Sequence, residues 1–184
     1  MPEATGRKAT QVVLRQWADS DLGPYFEMNS DPEVMRHFPA LQTQEEAVEG
    51  LNRMRGAIEE KGWGVWAVEV EGVFAGMAGL MVPRFEAPFM PCTEILWRFR
   101  RQFWGHGFAY AAATQALDYG FSRLRLPEIV AFTAASNARS VRLMERLGFV
   151  RDPGGDFEHP QVPIGNPLRH HVLYRRKPGD APTR

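Results

Sequence analysis

A single cysteine, Cys92, stands in a chain of 184 residues, which excludes an internal disulfide framework and a cysteine-only zinc site. A reducing, cytoplasmic setting is the expectation. Net charge is absent too. The 22 basic residues are matched by 22 acidic ones, which argues against a nucleic-acid binder relying on bulk positive charge and makes any electrostatic signal local. Long hydrophobic runs are missing: the longest, residues 73–82, has ten residues, two of them glycine, and ends at Pro83, whereas a bilayer span needs about 20. Residues 1–10 carry Glu3, Arg7 and Lys8 and no apolar core, so no signal peptide is expected. Glycine and proline make up 31 of 184 residues, below the roughly 25–30% of low-complexity chains. What remains is an ordinary globular composition, 44% hydrophobic and 24% charged. A chain of this length buries roughly 70% of its unfolded surface, enough for one core without staples.

Residues 12–17 alternate apolar and polar as a strand does, and 18–22 offer N-cap residues before a short, irregular helical stretch around Asn29, Asp31 and Pro32. Thr43-Gln44-Glu45-Glu46 is a capping box; Val48, Leu51, Met54, Arg55 and Ile58 follow at helical spacing, which predicts a helix over 44–60. Residues 64–82 are rich in Val, Trp, Phe and Met and are split by Glu71-Gly72, as in an antiparallel hairpin. The pattern then predicts a loop over 83–91, a strand over 93–100, a small-faced helix over 107–124 and a strand over 128–134. A helix over 137–147 is closed by Gly148. Phe149 and Val150 begin another strand, 152–167 read as irregular, and 169–176 as a last strand. Residues 1–176 are expected to form one domain and 177–184 a frayed, disordered tail. This alternation around a central hairpin predicts an α/β fold, a mixed sheet with helices on both faces.

The chemically informative stretch is Arg98-Phe99-Arg100-Arg101-Gln102-Phe103-Trp104-Gly105-His106-Gly107-Phe108-Ala109. Residues 95–117 contain no Asp or Glu, while three arginines cluster ahead of a helix start. Two glycines let a ligand approach the main chain, and unpaired N–H groups at a helix N-terminus bind anions. A solvated glycine turn is the plain alternative. Tyr110 stands where a dinucleotide fingerprint needs its third glycine, and no Walker lysine is present.

Gln102-x-x-Gly105-x-Gly107-x-Ala109 after a strand, followed by a helix, a strand, and Asn137-x-x-Ser140 opening a helix that ends Leu147-Gly148-Phe149, resembles the GNAT superfamily of N-acetyltransferases, its RimJ/RimL-like branch in particular. The resemblance runs over residues 12–174 and is most specific in the second half. It implies a single, mostly antiparallel sheet whose two central strands, 93–100 and 128–134, are parallel and splayed. Acetyl-CoA is the implied co-substrate, with no metal. Its pantetheine would pair with the main chain near Leu96, Trp97 and Arg98. Its pyrophosphate would sit on the N–H groups of Gln102, Phe103, Trp104, Gly105, His106, Gly107, Phe108 and Ala109, and a strand N–H at Trp97 or Phe99 would polarise the thioester. Leu96, where relatives have a small residue, would narrow the slot, and Tyr110-Ala111 replaces a Thr-Glu pair.

The resemblance also implies that Asn137 contacts the cofactor arm and that Ser140 gives a proton to the departing thiolate; an N-cap pair is their plain alternative. Asp156, Glu158 and His159 are candidates for the general base, Glu158 being carried forward as catalytic. Cys92 lacks a spaced base and is not expected to be a nucleophile. His170-His171 would face opposite ways in a strand and so would not share a metal. Trp63, Trp66, Phe38 and Phe89 divide between core and acceptor cleft. Glu27, Asp31, Glu33, Glu86 and Glu94 would make an acidic cleft if they converged. The expected activity is direct transfer to a primary amine, such as a protein or peptide α-amine, by a monomer or homodimer that binds neither membrane nor nucleic acid. A small-molecule amine or antibiotic is the alternative acceptor, and a non-catalytic acyl-CoA-binding or interaction module on the same fold is the rival class.

Overall fold

The computed structural model describes residues 10–180. The expectation of no leader, but for Thr10, and residues 181–184 of the expected tail lie outside them. Residues 177–180 form a turn closed by Lys177 N–H to Asp180 Oδ2 at 2.7 Å.

Strand β1 (Val12–Arg15) leads through a short 3-10 turn into helix α1 (Leu22–Ser30). Helix α2 (Gln44–Lys61) starts at the expected capping box: Thr43 Oγ1 accepts from Glu46 N–H at 3.2 Å and Glu46 returns a carboxylate to Thr43 N–H at 2.8 Å. Strands β2 (Val65–Val70) and β3 (Val73–Met81) form the hairpin, with Glu71 at φ 50° and Gly72 at φ 78°, the two left-handed positions such a turn demands. Then come β4 (Glu94–Phe99), α3 (Phe108–Ser122), β5 (Ile129–Ala134), α4 (Ala138–Arg146), β6 (Val150–Arg151), β7 (Phe157–Glu158) and β8 (His170–Arg176). Strand β7 lies inside the stretch expected to be irregular. Two residues are too few to show alternation, and only pairing with β8 defines them as a strand.

All eight strands share one sheet, ordered β1-β2-β3-β4-β5-β8-β6 with β7 also on β8. Every pairing is antiparallel except β4 with β5. Trp17, Tyr25, Met28, Ala47 and Leu51 bring α1 and α2 against Val65, Ala67, Phe74 and Met77 on one face. On the other, Ala113, Ala116 and Leu117 of α3 and Met144 of α4 meet Leu80, Ile95, Ile129 and Ala131. The small face of α3 lets the helix lie close to the strands; a Cβ added at Gly120 would stand 2.7 Å from Ile129 and 2.9 Å from Leu80. Trp66 belongs to this core.

Candidate active site

Strands β4 and β5 pair only at Glu94 with Val130, beside the bond from Val130 N–H to Thr93 C=O at 2.9 Å, and part beyond it. The register decides which main-chain groups line the gap. Arg100 N–H donates to Ala75 of β3 at 2.9 Å, so by strand alternation the groups of Arg98 and Leu96 also turn to β3. Trp97 and Phe99 turn the other way, toward β5. Across the gap, Ala135 N–H is bonded to β8, which leaves the main chain of Phe132 facing β4. Of the main-chain groups near the expected Leu96, Trp97 and Arg98, those of Leu96 and Arg98 engage inside the sheet, while Trp97 and the N–H of Phe99 turn to the gap, the Phe99 C=O being taken by Trp104.

The gap opens toward the start of α3. Gly107 caps this helix at φ 81° with no side-chain hydrogen bond, Gly105 also has φ 81°, and ideal Cβ atoms at both would meet open space. A space beside unfilled helix N–H groups fits a phosphate. Gln102 and Phe103 lie in a 3-10 turn ahead of it, and Trp104 Nε1–H holds Phe99 C=O at 2.9 Å. His106 stacks on Phe108 with centroids 5.5 Å apart, and Ala109 packs into the core of that face. The arginine cluster behaves differently from its sequence expectation. Arg100 pairs with Glu27 at 2.9 Å and Arg101 with Asp31 at 3.5 Å, both on α1 or just past it, so the cluster is largely neutralised. A cation reaches the loop from another quarter: Arg139 of α4 lies 4.6 Å over the Trp104 ring.

Helix α4 starts at the far side of the gap. Asn137 Oδ1 caps it by accepting from Ser140 N–H at 3.3 Å, while Asn137 Nδ2 donates to Thr133 Oγ1 at 2.9 Å and to Ser140 Oγ at 3.2 Å. Both amide hydrogens of Asn137 are thus engaged within the protein. Ser140 receives a hydrogen bond on its oxygen, and among the described residues its own proton has no acceptor.

The alternation that puts Ile95 and Trp97 on the α3 side puts Glu94, Leu96 and Arg98 on the α1/α2 side. Phe132 joins them from β5, since Ile129 and Ala131 face α3. Glu94 is half-buried on that side, and burial pushes its carboxyl up to about 8. Among the described residues it has neither hydrogen bond nor ion pair. Arg98 donates to Asn29 Oδ1 and stacks 3.9 Å over the Phe38 ring. Beyond Phe132 stands a cluster of Phe85, Phe89, Phe157, His159 and His171, with centroids such as Phe85–His159 at 4.5 Å and Phe89–Phe157 at 4.9 Å. The loop carrying Phe38 closes over this face, where the His37 ring meets Ser136 Oγ at 3.3 Å.

Other candidates fall elsewhere. Glu158 is more than half exposed, pairs with Arg169 at 3.3 Å and His170 at 3.2 Å, and points away from the face that Phe157 and His171 share. Asp156 is held by Arg151 at 2.5 Å and by Leu173 N–H at 3.1 Å; burial pushes its carboxyl up, but these bonds prevail and keep it below the usual range. His159 is lowered to about 4, by burial first and then by the charges of His171 and Arg169, and is a weak base there. Burial, with Glu94 nearby, pushes the Cys92 thiol up to about 11, which suits no nucleophile. His171 lies in the ring cluster while His170 pairs with Glu158. Of the five acids, Glu27 and Asp31 line one pocket together with Arg100 and Arg101, and Glu27, Asp31 and Glu33 each pair with an arginine. The signal for Glu94 was the strand alternation itself, which places it at the closed end of the gap.

Known proteins share this fold. Residues 11–150 match the family model described as "Acetyltransferase (GNAT) domain". The chain is 32% identical to the uncharacterized protein YkkB of Bacillus subtilis over 75% of this chain and 81% of that one. It is 33% identical to the FsC-acetyl coenzyme A-N(2)-transacetylase of Aspergillus fumigatus, over 66% of this chain and 54% of that one. A GNAT-family acetyltransferase from Bacillus anthracis superimposes with a TM-score of 0.73 at 28% identity, covering 92% of this chain and 96% of that one. The spermidine N-acetyltransferase of Vibrio cholerae, solved with CoA and spermine, gives 0.71 at 22% identity over 92% and 97%, a likeness of fold alone. No helix among the described residues is long and apolar enough to cross a membrane. A sheet parted between β4 and β5, a glycine-flanked helix start at the parting and a family model over three quarters of the sequence agree, and the chain belongs to the GNAT acetyltransferases.

Proposed function

We propose that the chain carries acetyl from acetyl-CoA directly to a primary α-amine, of a peptide N-terminus or a small molecule, in the cytoplasm and within the RimJ/RimL-like branch. The carrying observation is the gap that β4 and β5 leave between Trp97, Phe99 and Phe132, ending at the N-terminus of α3, where Gly107 caps without a side-chain hydrogen bond. The co-substrate, when bound there, supplies the activated acetyl group. The protein's own groups divide the rest. Amide N–H groups of residues 105–109 hold the phosphates, and the N–H of Trp97 or Phe99 polarises the carbonyl as charge builds on its oxygen. The Glu94 carboxylate takes the proton from the attacking amine; a base near 8 matches an α-amine of about 7.7–8.0, so the transfer is close to even. Ser140 gives its proton to the departing sulfur, and Asn137 orients Ser140. Glu158, exposed and ion-paired, keeps at most a supporting part at the rim. The names of the fungal and Vibrio relatives support a nitrogen acceptor. A polycation is the less favoured acceptor here, because the acids that would hold it are neutralised by arginines.

The test is ligand stabilisation followed by turnover. At 100 times Kd, acetyl-CoA should stabilise the fold by about 2.7 kcal/mol, roughly 5–10 °C in Tm, while NADH gives no comparable rise. Gly107→Val should abolish the rise and itself cost about 1–2 kcal/mol, since valine resists the left-handed backbone at φ 81°. A rise with NADH and none with CoA would refute the reading. Release of free thiol with an amine panel separates an enzyme from a binding module.

A further inference from the structure

The segment between α1 and α2 touches both parted strands with neighbouring residues. Toward β4, the Arg98 guanidinium lies 3.9 Å over the Phe38 ring and donates to Asn29 Oδ1 in the last turn of α1. Toward β5, the His37 ring meets Ser136 Oγ at 3.3 Å, two residues past the end of that strand and one before the Asn137 cap of α4. Consecutive Cα atoms are only about 3.8 Å apart, so the chain at 37–38 crosses the parting on the α1/α2 side, opposite the face that packs on α3. The two attachments differ in strength. At the Arg98 end, Asn29 is fully buried and also takes Gln42 N–H on its C=O at 3.1 Å, which ties the far end of the segment to the same residue. The other end is one exposed hydrogen bond to an imidazole that burial, with the charges of Arg36 and Arg139, keeps neutral near neutral pH. The outer side carries little packing, with Phe38 39% and Leu41 47% exposed.

We propose that residues 37–38 form a bar that shuts water away from the thioester until an amine displaces it, with Arg98 as its hinge and the His37–Ser136 bond as its latch, an inference that rests on the acetyl-transfer reading above. His37, Ser136 and Arg98 are then positioning residues that decide whether amine or water takes the acetyl group. A thioester beside a polarising N–H is open to both. In the wasteful reaction the water oxygen bonds to the carbonyl carbon, the C–S bond breaks, one water proton goes to the sulfur and the other to solvent, and acetate and free thiol leave. Closing a loaded site against water suppresses such losses. A cover held by one neutral hydrogen bond at its free end still yields to an incoming acceptor at small cost.

The test measures thiol release from acetyl-CoA with no amine present. His37→Ala and Ser136→Ala should each raise it about 2–10-fold, the change in population that one neutral hydrogen bond supports. The double variant should leak no more than either single one, because both remove the same bond, and Ser136→Thr, which keeps a hydroxyl, should stay low. Phe38→Ala, which removes the ring from the hinge, should leak at least as much. Leu41→Ala, on the same segment, should match wild type. The Tm rise with acetyl-CoA should be unchanged in all of them, since the phosphates sit at the start of α3. Equal release by folded wild type and latch variants overturns the proposal, as does a leak in Leu41→Ala as large as that in Ser136→Ala. If no variant releases thiol with or without an amine, the acetyl-transfer reading itself fails, and amide exchange decides on the bar. In Ser136→Ala the Phe38 N–H, bonded to Met35 C=O at 2.8 Å, should exchange faster than in wild type, while the Gln42 N–H behind the hinge keeps its rate. Unchanged protection at Phe38 refutes the latch.

Discussion

Glu94→Gln should lower kcat/KM by about 10²–10⁴-fold, the range of general-base assistance, and at the same time make the protein more stable in mild alkali. Both effects come from one enclosed carboxyl whose pKa is raised from 4.5 to about 8. In the unfolded chain this group loses its proton near 4.5; in the fold it keeps it until about 8. Between those values the native state binds more protons than the unfolded state, so stability falls as pH rises across the window and stays low above it. A tenfold difference in proton affinity between the two states corresponds to about 1.4 kcal/mol, and the loss should amount to several kcal/mol. Glutamine has no proton to lose. Wild type and Glu94→Gln should therefore melt together near pH 4 and diverge by pH 9, with the variant higher. Kinetics supply the second readout. With Glu94 and the amine both needing to be deprotonated, log kcat/KM should climb with a slope approaching two below about pH 7.7, and Glu94→Gln should leave a slope of one. A variant that is slow but keeps the steep limb would place the base elsewhere. One that is less stable at pH 9 would mean that Glu94 is paired after all.

The glycines, the capping box and the helix boundaries were legible because each depends on residues within one turn of one another: Thr43 with Glu46, Gly105 with Gly107, Asn137 with Ser140. The splay of β4 from β5 was not readable from pattern and entered only through the family resemblance, because it is a property of two strands separated by a helix. Charge was the weakest guide. Residues 98–101 look strongly basic in sequence, yet Glu27 and Asp31 neutralise Arg100 and Arg101 from about 70 residues away. Glu158 and Glu94 are the same residue type, and nothing local separates them. One ends on a short strand beside Arg169 and His170, the other at the closed end of a gap with no side-chain partner among the described residues. Depth in a sheet depends on the strand order, and strand order is fixed by packing among distant segments.

Three further substitutions should separate direct transfer from a covalent route. Ser140→Ala should cut kcat by about 10²–10⁴-fold with little change in the KM for acetyl-CoA, because a donor to the departing sulfur acts mainly in the transition state. Its hydroxyl oxygen accepts from Asn137 Nδ2 at 3.2 Å. Asn137→Ala should lower kcat less and lower stability more. It removes the cap of α4 together with the bond to Thr133, and a lost cap costs about 0.5–2 kcal/mol. Since Asn137 acts through Ser140, the double variant should be no slower than Ser140→Ala alone. Were Asn137 chiefly a cofactor ligand, its loss would raise the KM for acetyl-CoA instead, and the two effects would add. Cys92→Ala should leave turnover largely intact, because a thiol pushed up to about 11 is almost entirely protonated near neutrality and forms no acyl-enzyme. Melting curves identify variants that are slow because they unfold. If Cys92→Ala were folded and dead while Ser140→Ala were folded and fully active, transfer would run through the thiol, and the direct route assisted by Ser140 would be wrong.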